Sequence, residues 1–408
     1  MKKDIVVIGG GSAGLAAALK AWETGARDIL LVERGPRLGG VLQQCIHDGF
    51  GLQIFKQAYT GPEYAQKYID KIEKTGVVCL TNSTVTGLTK DRRLTLVSPK
   101  GLLSVKAKAV ILTTGCRERT REMIRIPGSR PAGVFTAGCA QNLINLVGFM
   151  PGRRVVILGS GDVGLIMARR LTLEGAKVIA VLELMPYPGG LKRNIVQCLD
   201  DYGIPLLLSH TVVGIKGRKR LESVTIAKVD GRLRPIAGTE RELKCDTLLL
   251  SVGLIPENEL AQKAGVEMDP KTGGPTVDEL NETSVKGIYA AGNALQVHDL
   301  VDWATMEAEN AGKHAADYVL RGISGNRRYA VNAGFGVRQV VPQYYSGDDG
   351  FTLSLRVSKP VKNRNIIISN GKTVKKVFQA ELTPSEAVRI ELSREYLKNT
   401  GGLSVHVG

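Results

Sequence analysis

Val6-Val7-Ile8-Gly9-Gly10-Gly11-Ser12-Ala13-Gly14 and Val155-Val156-Ile157-Leu158-Gly159-Ser160-Gly161-Asp162-Val163-Gly164 are two copies of one pattern, 150 residues apart. Each is an apolar run that ends in Gly-x-Gly-x-x-Gly and leads into a helical stretch. A second apolar run follows in each, Ile29-Leu30-Leu31-Val32 before Glu33 and Val178-Ile179-Ala180-Val181-Leu182 before Glu183, and the acidic residue lies 19 positions past the third glycine in both. A lone Gly-x-Gly-x-x-Gly says little. A strand before it, a helix after it and an acidic strand end at that distance make a dinucleotide-binding βαβ unit. Gly9, Gly11 and Gly14, like Gly159, Gly161 and Gly164, let the chain turn tightly, approach a pyrophosphate and pack helix on strand. The helix then offers unpaired N–H groups to the phosphates, each favourable charge there contributing about 0.3–1 kcal/mol when exposed. Ser12 and Ala13 in the first loop, and Asp162 and Val163 in the second, are counted with these sites.

Glu33 and Glu183 are positioned to accept hydrogen bonds from a ribose. A carboxylate at 183 suits the free 2′-hydroxyl of NAD and opposes the 2′-phosphate of NADP by about 4 kcal/mol at 4 Å and an effective dielectric near 20. The segment Leu184-Met185-Pro186-Tyr187-Pro188 supplies no arginine for such a phosphate. NAD(H) is the expected second dinucleotide.

Outward from the first motif, a helix is expected to open at Pro62, with Tyr64, Tyr68, Ile69 and Ile72 on one face and Gly76 as its stop. Strand-like Val77 to Leu80 follows. A hairpin over Arg93 to Val97 and Leu102 to Lys106 then leads into a separate apolar strand that ends Thr113-Thr114-Gly115. The second half repeats this order, with strands expected at 204–208, 221–229 and 242–245 before Asp246 to Gly253. From about Pro256 the chain is expected to return to the first half, through the strand Ile288-Tyr289-Ala290-Ala291-Gly292-Asn293 and a helix containing Trp303, Met306 and Ala315. Beyond Arg328 alternating runs such as Phe351 to Val357 read as a small β domain. The expected fold is α/β: two Rossmann-like domains, the second inserted in the first, with boundaries at 1–126, 127–254, 255–328 and a β-rich 329–408 that would serve assembly.

The 408 residues suffice for such domains, and 43% hydrophobic with 23% charged residues is an ordinary globular composition. Met1-Lys2-Lys3 before an apolar run is interrupted by Asp4 and the glycines, so a mature cytoplasmic start is expected. No apolar stretch reaches the 18 residues needed to span a bilayer. A net charge of +16 would attract polyanions, but it is spread along the chain and no nucleic-acid-reading motif accompanies it. A basic surface that favours nucleotide phosphates is the expectation, with no nucleic acid as partner. The six cysteines lie no closer than 23 positions apart, which excludes a CxxC pair or a local metal cluster. No metal is expected.

These residues resemble the two-dinucleotide-domain flavoproteins of the pyridine nucleotide-disulfide oxidoreductase class, over most of residues 1–328. Leu38-Gly39-Gly40, Thr113-Thr114-Gly115 and Gly292-Asn293 match that class's FAD landmarks in order. Gly133 to Gly138 and His298-Asp299-Leu300-Val301-Asp302 narrow the resemblance to the FAD subunits that accompany glycerol-3-phosphate dehydrogenase, hydrogen cyanide synthase, opine oxidase and dye-linked proline dehydrogenase. It implies FAD in the first domain, held by Gly9, Gly11, Ser12, Ala13, Gly14, Glu33, Arg34, Gly39, Gly40, Val85, Thr114, Gly115, Gly292, Asn293, Leu300 and Val301. It implies NAD(H) in the second, held by Gly159, Gly161, Asp162, Val163, Gly164, Glu183 and Gly253. Hydride would pass between nicotinamide and flavin, and the chain would work in a hetero-oligomer with a partner dehydrogenase subunit.

Two departures bear on that expectation. The class's FAD-site Asp is Asn293 here, which forfeits a charge-assisted bond. The cysteine pair of the disulfide reductases is missing, and only Cys45 lies in the segment after Gly40. Cys45 is the candidate catalytic thiol, with His47 near enough in sequence to activate it; a packed, inert thiol is the alternative. Asp299 and Asp302 are expected to cap the helix after them. Two other functions stay open on sequence alone: a self-sufficient NADH oxidase or peroxidase using FAD and Cys45, and a non-catalytic scaffold subunit.

Overall fold

The computed structural model describes residues 1–371, 374–398 and 401–408. The chain divides into two compact units, one formed by 1–116 with 256–408, the other by 117–255.

In the first unit five parallel strands run in the order Val78–Leu80, Ile29–Val32, Lys2–Ile8, Gly101–Leu112, Ile288–Ala290. Their apolar runs are continuous because both faces are covered. Ile5, Val7, Ile29, Leu31, Ala109 and Ile111 point to the side of the helices Ser12–Glu23, Gly61–Glu73 and Val301–Arg321. Val6, Ile8, Leu30, Val32, Val110 and Leu112 point to the other side, where Leu94, Leu96 and Val105 meet Ala261 and Val266. The helix expected at Pro62 starts at Gly61, with Thr60 and Glu63 forming a capping box.

Gly101–Leu112 is one strand of twelve residues, not a hairpin arm followed by a separate strand. Its alternation of buried Val105, Ala107 and Ala109 with Lys106 and Lys108 passes directly into the fully buried Val110 to Leu112, with no turn residue between them. The amino half pairs antiparallel with Arg93–Ser98 and the carboxyl half pairs parallel with Ile288–Ala290.

The second unit repeats the design. Five parallel strands run Leu206–Leu208, Lys177–Glu183, Arg154–Leu158, Thr247–Leu250, Val134–Thr136. An antiparallel sheet of His210–Gly217, Leu221–Lys228 and Arg241–Lys244 stands beside them. His210–Gly217 is absent from the strands expected on sequence, because its alternation is broken by a register shift between Val212 and Gly214.

The unit boundaries differ from the expected ones. The chain enters the second unit at Arg117, ten residues before the expected 127. The reason is Arg121, whose guanidinium is buried on the carbonyls of Ile126, Gly128 and Ser129, while Ile126 joins the second unit's core. The β-rich tail has a core of its own, including Tyr345, Leu353, Leu355, Ile366 and Val405, yet it belongs to the first compact unit. Among the described residues no helix is long and apolar enough to cross a membrane.

Candidate functional site

In the first unit the glycine loop lies at the carboxyl end of Lys2–Ile8, under the helix Ser12–Glu23. Gly9 has φ +108°, and a Cβ there would stand 2.3 Å from the Thr113 carbonyl oxygen. A Cβ at Gly14 would overlap the Gly9 carbonyl, so both positions are fixed by packing. Gly11 differs. Its φ of −75° suits any residue, and the nearest atom to an added Cβ is the Gly40 Cα at 4.0 Å. The fold does not by itself require glycine at 11, and the open space there leaves the backbone accessible. The helix first turn carries no acidic residue, leaving its dipole end open to an anion.

Glu33 is buried and bonded to the loop: its Oε2 accepts from Gly10 N at 2.7 Å and its Oε1 from Gly35 N at 2.6 Å. A carboxylate has about four acceptor positions, so lone pairs remain for ribose hydroxyls. Thr113 Oγ1 donates to the carbonyls of Ile8 (2.9 Å) and Gly9 (3.1 Å), locking the strand end to the loop. Gly39 N donates to Gly10 O at 2.8 Å, laying Gly39-Gly40 across it. Ala13 packs against Gly292, whose added Cβ would meet the Ala13 Cβ at 2.7 Å. The structure thus gathers Gly9, Gly11, Ser12, Ala13, Gly14, Glu33, Gly39, Gly40 and Gly292 at the carboxyl ends of the parallel strands.

The remaining residues named for FAD take varied places. Thr114 Oγ1 donates to Glu257 O at 2.6 Å, and Gly115 beside it has φ +73° with open space around it. Arg34 forms an exposed ion pair with Glu257 at 2.9 Å. Val85 is buried, paired with Leu96, so its side chain serves the core and only backbone is left for a ligand. Asn293 is occupied structurally: its Oδ1 accepts from His298 N at 2.9 Å and its Nδ2 donates to Cys116 Sγ at 3.5 Å. Leu300 is the N-cap residue of Val301–Arg321, and no side chain caps that helix.

The expected capping by Asp299 or Asp302 is therefore corrected. Asp302 sits inside the first turn and accepts from Gly51 N (3.2 Å) and Ile54 N (3.3 Å), anchoring the 46–60 loop. Asp299 pairs with Arg356 at 3.0 Å. Both carboxylates found partners in chain segments distant in sequence, which local spacing does not reveal.

The second loop reproduces the first in detail. Gly159 has φ +95° with Ser251 O 2.1 Å from an added Cβ, and Ser251 Oγ accepts from Gly164 N at 3.1 Å. Ser251 thus stands where Thr113 stands in the first unit. Glu183 is buried, with Oε2 accepting from Ser160 N (3.0 Å) and Ser160 Oγ (2.5 Å), and Oε1 from Met185 N (2.9 Å). Asp162 opens the helix, but its Oδ1 is turned to Leu191 N (2.8 Å) and Asn194 Nδ2 (2.6 Å). Val163 is partly buried in the same turn, and Gly253 closes the opposite strand with φ +100°.

Ser160, Gly189, Gly190, Asn194 and Ser251 join this site without having been expected there. The signal for two of them is in the sequence: Glu33, Pro36, Gly39 and Gly40 recur as Glu183, Pro186, Gly189 and Gly190 at the same offset of 150 that separates Gly9 from Gly159. Gly189 N donates to Ser160 Oγ at 2.7 Å, so this second Gly-Gly covers its loop as the first one does.

Cys45 lies on the turn Gly40–Gln44 and donates to Val41 O at 3.3 Å. Burial pushes its thiol up to about 12, which disfavours the thiolate a nucleophile needs. Cys139 is exposed and Cys198 and Cys245 are buried, and among the described residues none of the six cysteines is joined in a disulfide. Among the described residues no group of His, Cys, Asp and Glu is arranged to hold a metal.

The glycine cradles, each backed by a buried carboxylate, fit two dinucleotides, one per unit. The pyridine nucleotide-disulphide oxidoreductase model matches residues 3–315. The chain is 30% identical over 343 residues to an opine oxidase subunit of Agrobacterium tumefaciens, covering 77% of this chain and 64% of that protein. It is 29% identical over 313 residues to the HcnB subunit of hydrogen cyanide synthase of Pseudomonas aeruginosa, covering 71% and 65%. It thus spans a little under two thirds of these relatives. In fold it is similar to thioredoxin reductase from T. acidophilum, with a TM-score of 0.64 at 23% identity over 78% of this chain and 99% of that one. The family implies binding of FAD and NAD(P). With the matched model covering both glycine loops, the chain belongs to the pyridine nucleotide-disulphide oxidoreductase family.

Proposed function

We propose that the chain is the FAD- and NAD(H)-binding subunit of a hetero-oligomeric dehydrogenase, of the glycerol-3-phosphate dehydrogenase kind. FAD belongs to the loop at Gly9–Gly14 and NAD(H) to the loop at Gly159–Gly164. The observation that carries the reading is the duplicated cradle: two glycine loops, each crossed by a Gly-Gly segment and each backed by a buried carboxylate bonded to its own backbone. Relatives named as subunits of an opine oxidase and a hydrogen cyanide synthase support a role inside a complex.

When bound, the flavin supplies the two-electron chemistry, accepting or returning hydride. This chain's residues align and hold. Gly11 and Gly161 admit pyrophosphates, Glu33 and Glu183 receive ribose hydroxyls, and Glu183 opposes a 2′-phosphate. Oxidising a substrate alcohol to a carbonyl releases two electrons and two protons. NAD+ held at the second glycine loop by Gly161 and Glu183 would be the acceptor of one hydride, the second proton passing to solvent. Asn293 offers the FAD its spare Oδ1 lone pair, a weaker acceptor than a carboxylate. A peroxidase role for Cys45 would need a thiolate that burial works against.

Co-expression with an FAD-linked glycerol-3-phosphate dehydrogenase subunit tests the proposal. The expected result is co-elution of the two chains and substrate-dependent NAD+ reduction that needs both. Vigorous NADH consumption with oxygen by the isolated chain, and no complex, would contradict it.

A further inference from the structure

The C-terminal β-rich tail reaches into the segment that carries the Gly292-Asn293 landmark. On the strand Phe351–Val357, Leu353 and Leu355 face the tail's own core. Their alternates Ser354 and Arg356 are also buried, and they face the segment Gln296–Asp299. Arg356 Nη2 donates to Asp299 Oδ1 and to Val297 O, both at 3.0 Å. Asp299 Oδ2 accepts from Ala387 N at 3.4 Å, and Ser354 Oγ donates to Gln296 Oε1 at 3.4 Å. Arg389 lays its guanidinium over the Trp303 ring, 4.8 Å from the centroid.

From there a continuous run of hydrogen bonds leads to the cofactor turn. Gln296 Nε2 donates to Glu307 Oε2 at 2.7 Å, and His298 Nε2 lies 3.0 Å from Glu307 Oε1. That same Oε1 accepts from Gly292 N at 2.8 Å, while His298 N donates to Asn293 Oδ1. The side chains of Gln296, His298 and Glu307 are all buried. Gln296 thus bears on Glu307 directly, and Asp299 bears on its chain neighbour His298, and the two lead to the backbone of Gly292 and the amide of Asn293. Buried polar networks behave in an all-or-none way because a half-satisfied one is costly.

We propose that the β-rich tail is a working part of the flavin site, with Arg356 and Ser354 acting as positioning residues that set the Gln296–Leu300 segment and, through Glu307 and His298, the flavin affinity and potential. This rests on the assignment of FAD to the first glycine loop. It differs from a role for the tail in assembly alone, which would leave the flavin indifferent to residues on that strand.

The experiment uses the full chain as holoprotein. The FAD dissociation constant, flavin midpoint potential and thermal midpoint are measured for wild type and for R356K, R356Q, S354A and the pair D299N/R356Q. R356Q alone strands a buried carboxylate and is expected to lose both stability and flavin. D299N/R356Q removes both charges and is expected to recover most of the thermal midpoint while binding FAD at least tenfold more weakly than wild type. S354A, which deletes one hydrogen bond, is expected to fold normally and weaken FAD about threefold with a shifted potential, and R356K to fall between wild type and R356Q. Wild-type FAD affinity and potential in S354A and in the pair, with the thermal midpoint retained, would overturn the proposal; so would equal loss of stability and flavin in S354A. A wild-type chain that binds no FAD would instead overturn the assignment on which the proposal rests.

Discussion

The three glycines of the first loop do different jobs, and single substitutions separate them. Gly9 and Gly14 are required by the fold, one by its φ of +108° and its contact with Thr113, the other by overlap with the Gly9 carbonyl. Gly11 has an ordinary φ and open space. G11A is expected to keep the wild-type thermal midpoint and lose FAD affinity by at least tenfold, read by flavin fluorescence. G9A is expected to destabilise the apoprotein by several kcal/mol, roughly the cost of a strained backbone plus a clash. Equal thermal loss in both would mean that Gly11 serves packing only. At the second loop, E183Q removes the charge facing a 2′-phosphate while keeping one carbonyl oxygen. Steady-state kinetics should show the preference for NADH over NADPH fall by at least tenfold, a fraction of the roughly 4 kcal/mol repulsion expected for the intact carboxylate. An unchanged preference would place specificity elsewhere.

Among the elements, the helices Ser12–Glu23 and Val301–Arg321 join the glycine loop to the Gly292 turn, and they pack on small residues. A Cβ at Gly312 would stand 2.2 Å from the Ala17 carbonyl oxygen. G312A must therefore push the helices apart and is expected to cost about 1–3 kcal/mol, read as a lower denaturation midpoint with weaker FAD binding. The segment that returns the chain to the first sheet carries a buried acid. Burial, and then the charge of neighbouring Glu279, raise Asp278 to about 7 from 3.8. An acid whose folded value is raised stabilises the fold while protonated, and that contribution is lost as pH rises from about 4 through 7. D278N keeps an acceptor for Leu280 N and Glu282 N, which Asp278 Oδ1 holds at 3.0 Å, and is never charged. Its thermal midpoint should gain on wild type as pH rises from 5 to 7 and the gain should level off above that. A constant difference across that range would contradict the buried ionisation.

For the whole molecule, what the sequence made legible was what repeats locally. Strand, glycine turn, helix and acidic strand end recur within a short span, so both βαβ units and the return strand Ile288–Ala290 could be read from spacing alone. The Gly-Gly crossings were legible in principle through the offset of 150, and only the first was read. Pairings decided between distant segments were hidden. Asp302 reaches Gly51 and Asp299 reaches Arg356, neither of which has a local spacing signature. The desolvation of Cys45 was hidden for the same reason.

The most direct test of two dinucleotide sites working together is an anaerobic titration of the purified, FAD-loaded chain with NADH, followed in the visible spectrum. The flavin absorbance is predicted to bleach with stoichiometric NADH in wild type. The G161A variant is predicted to keep its yellow colour and need far more NADH. A chain that stays colourless when FAD is supplied, or a bound flavin indifferent to NADH, would contradict the account.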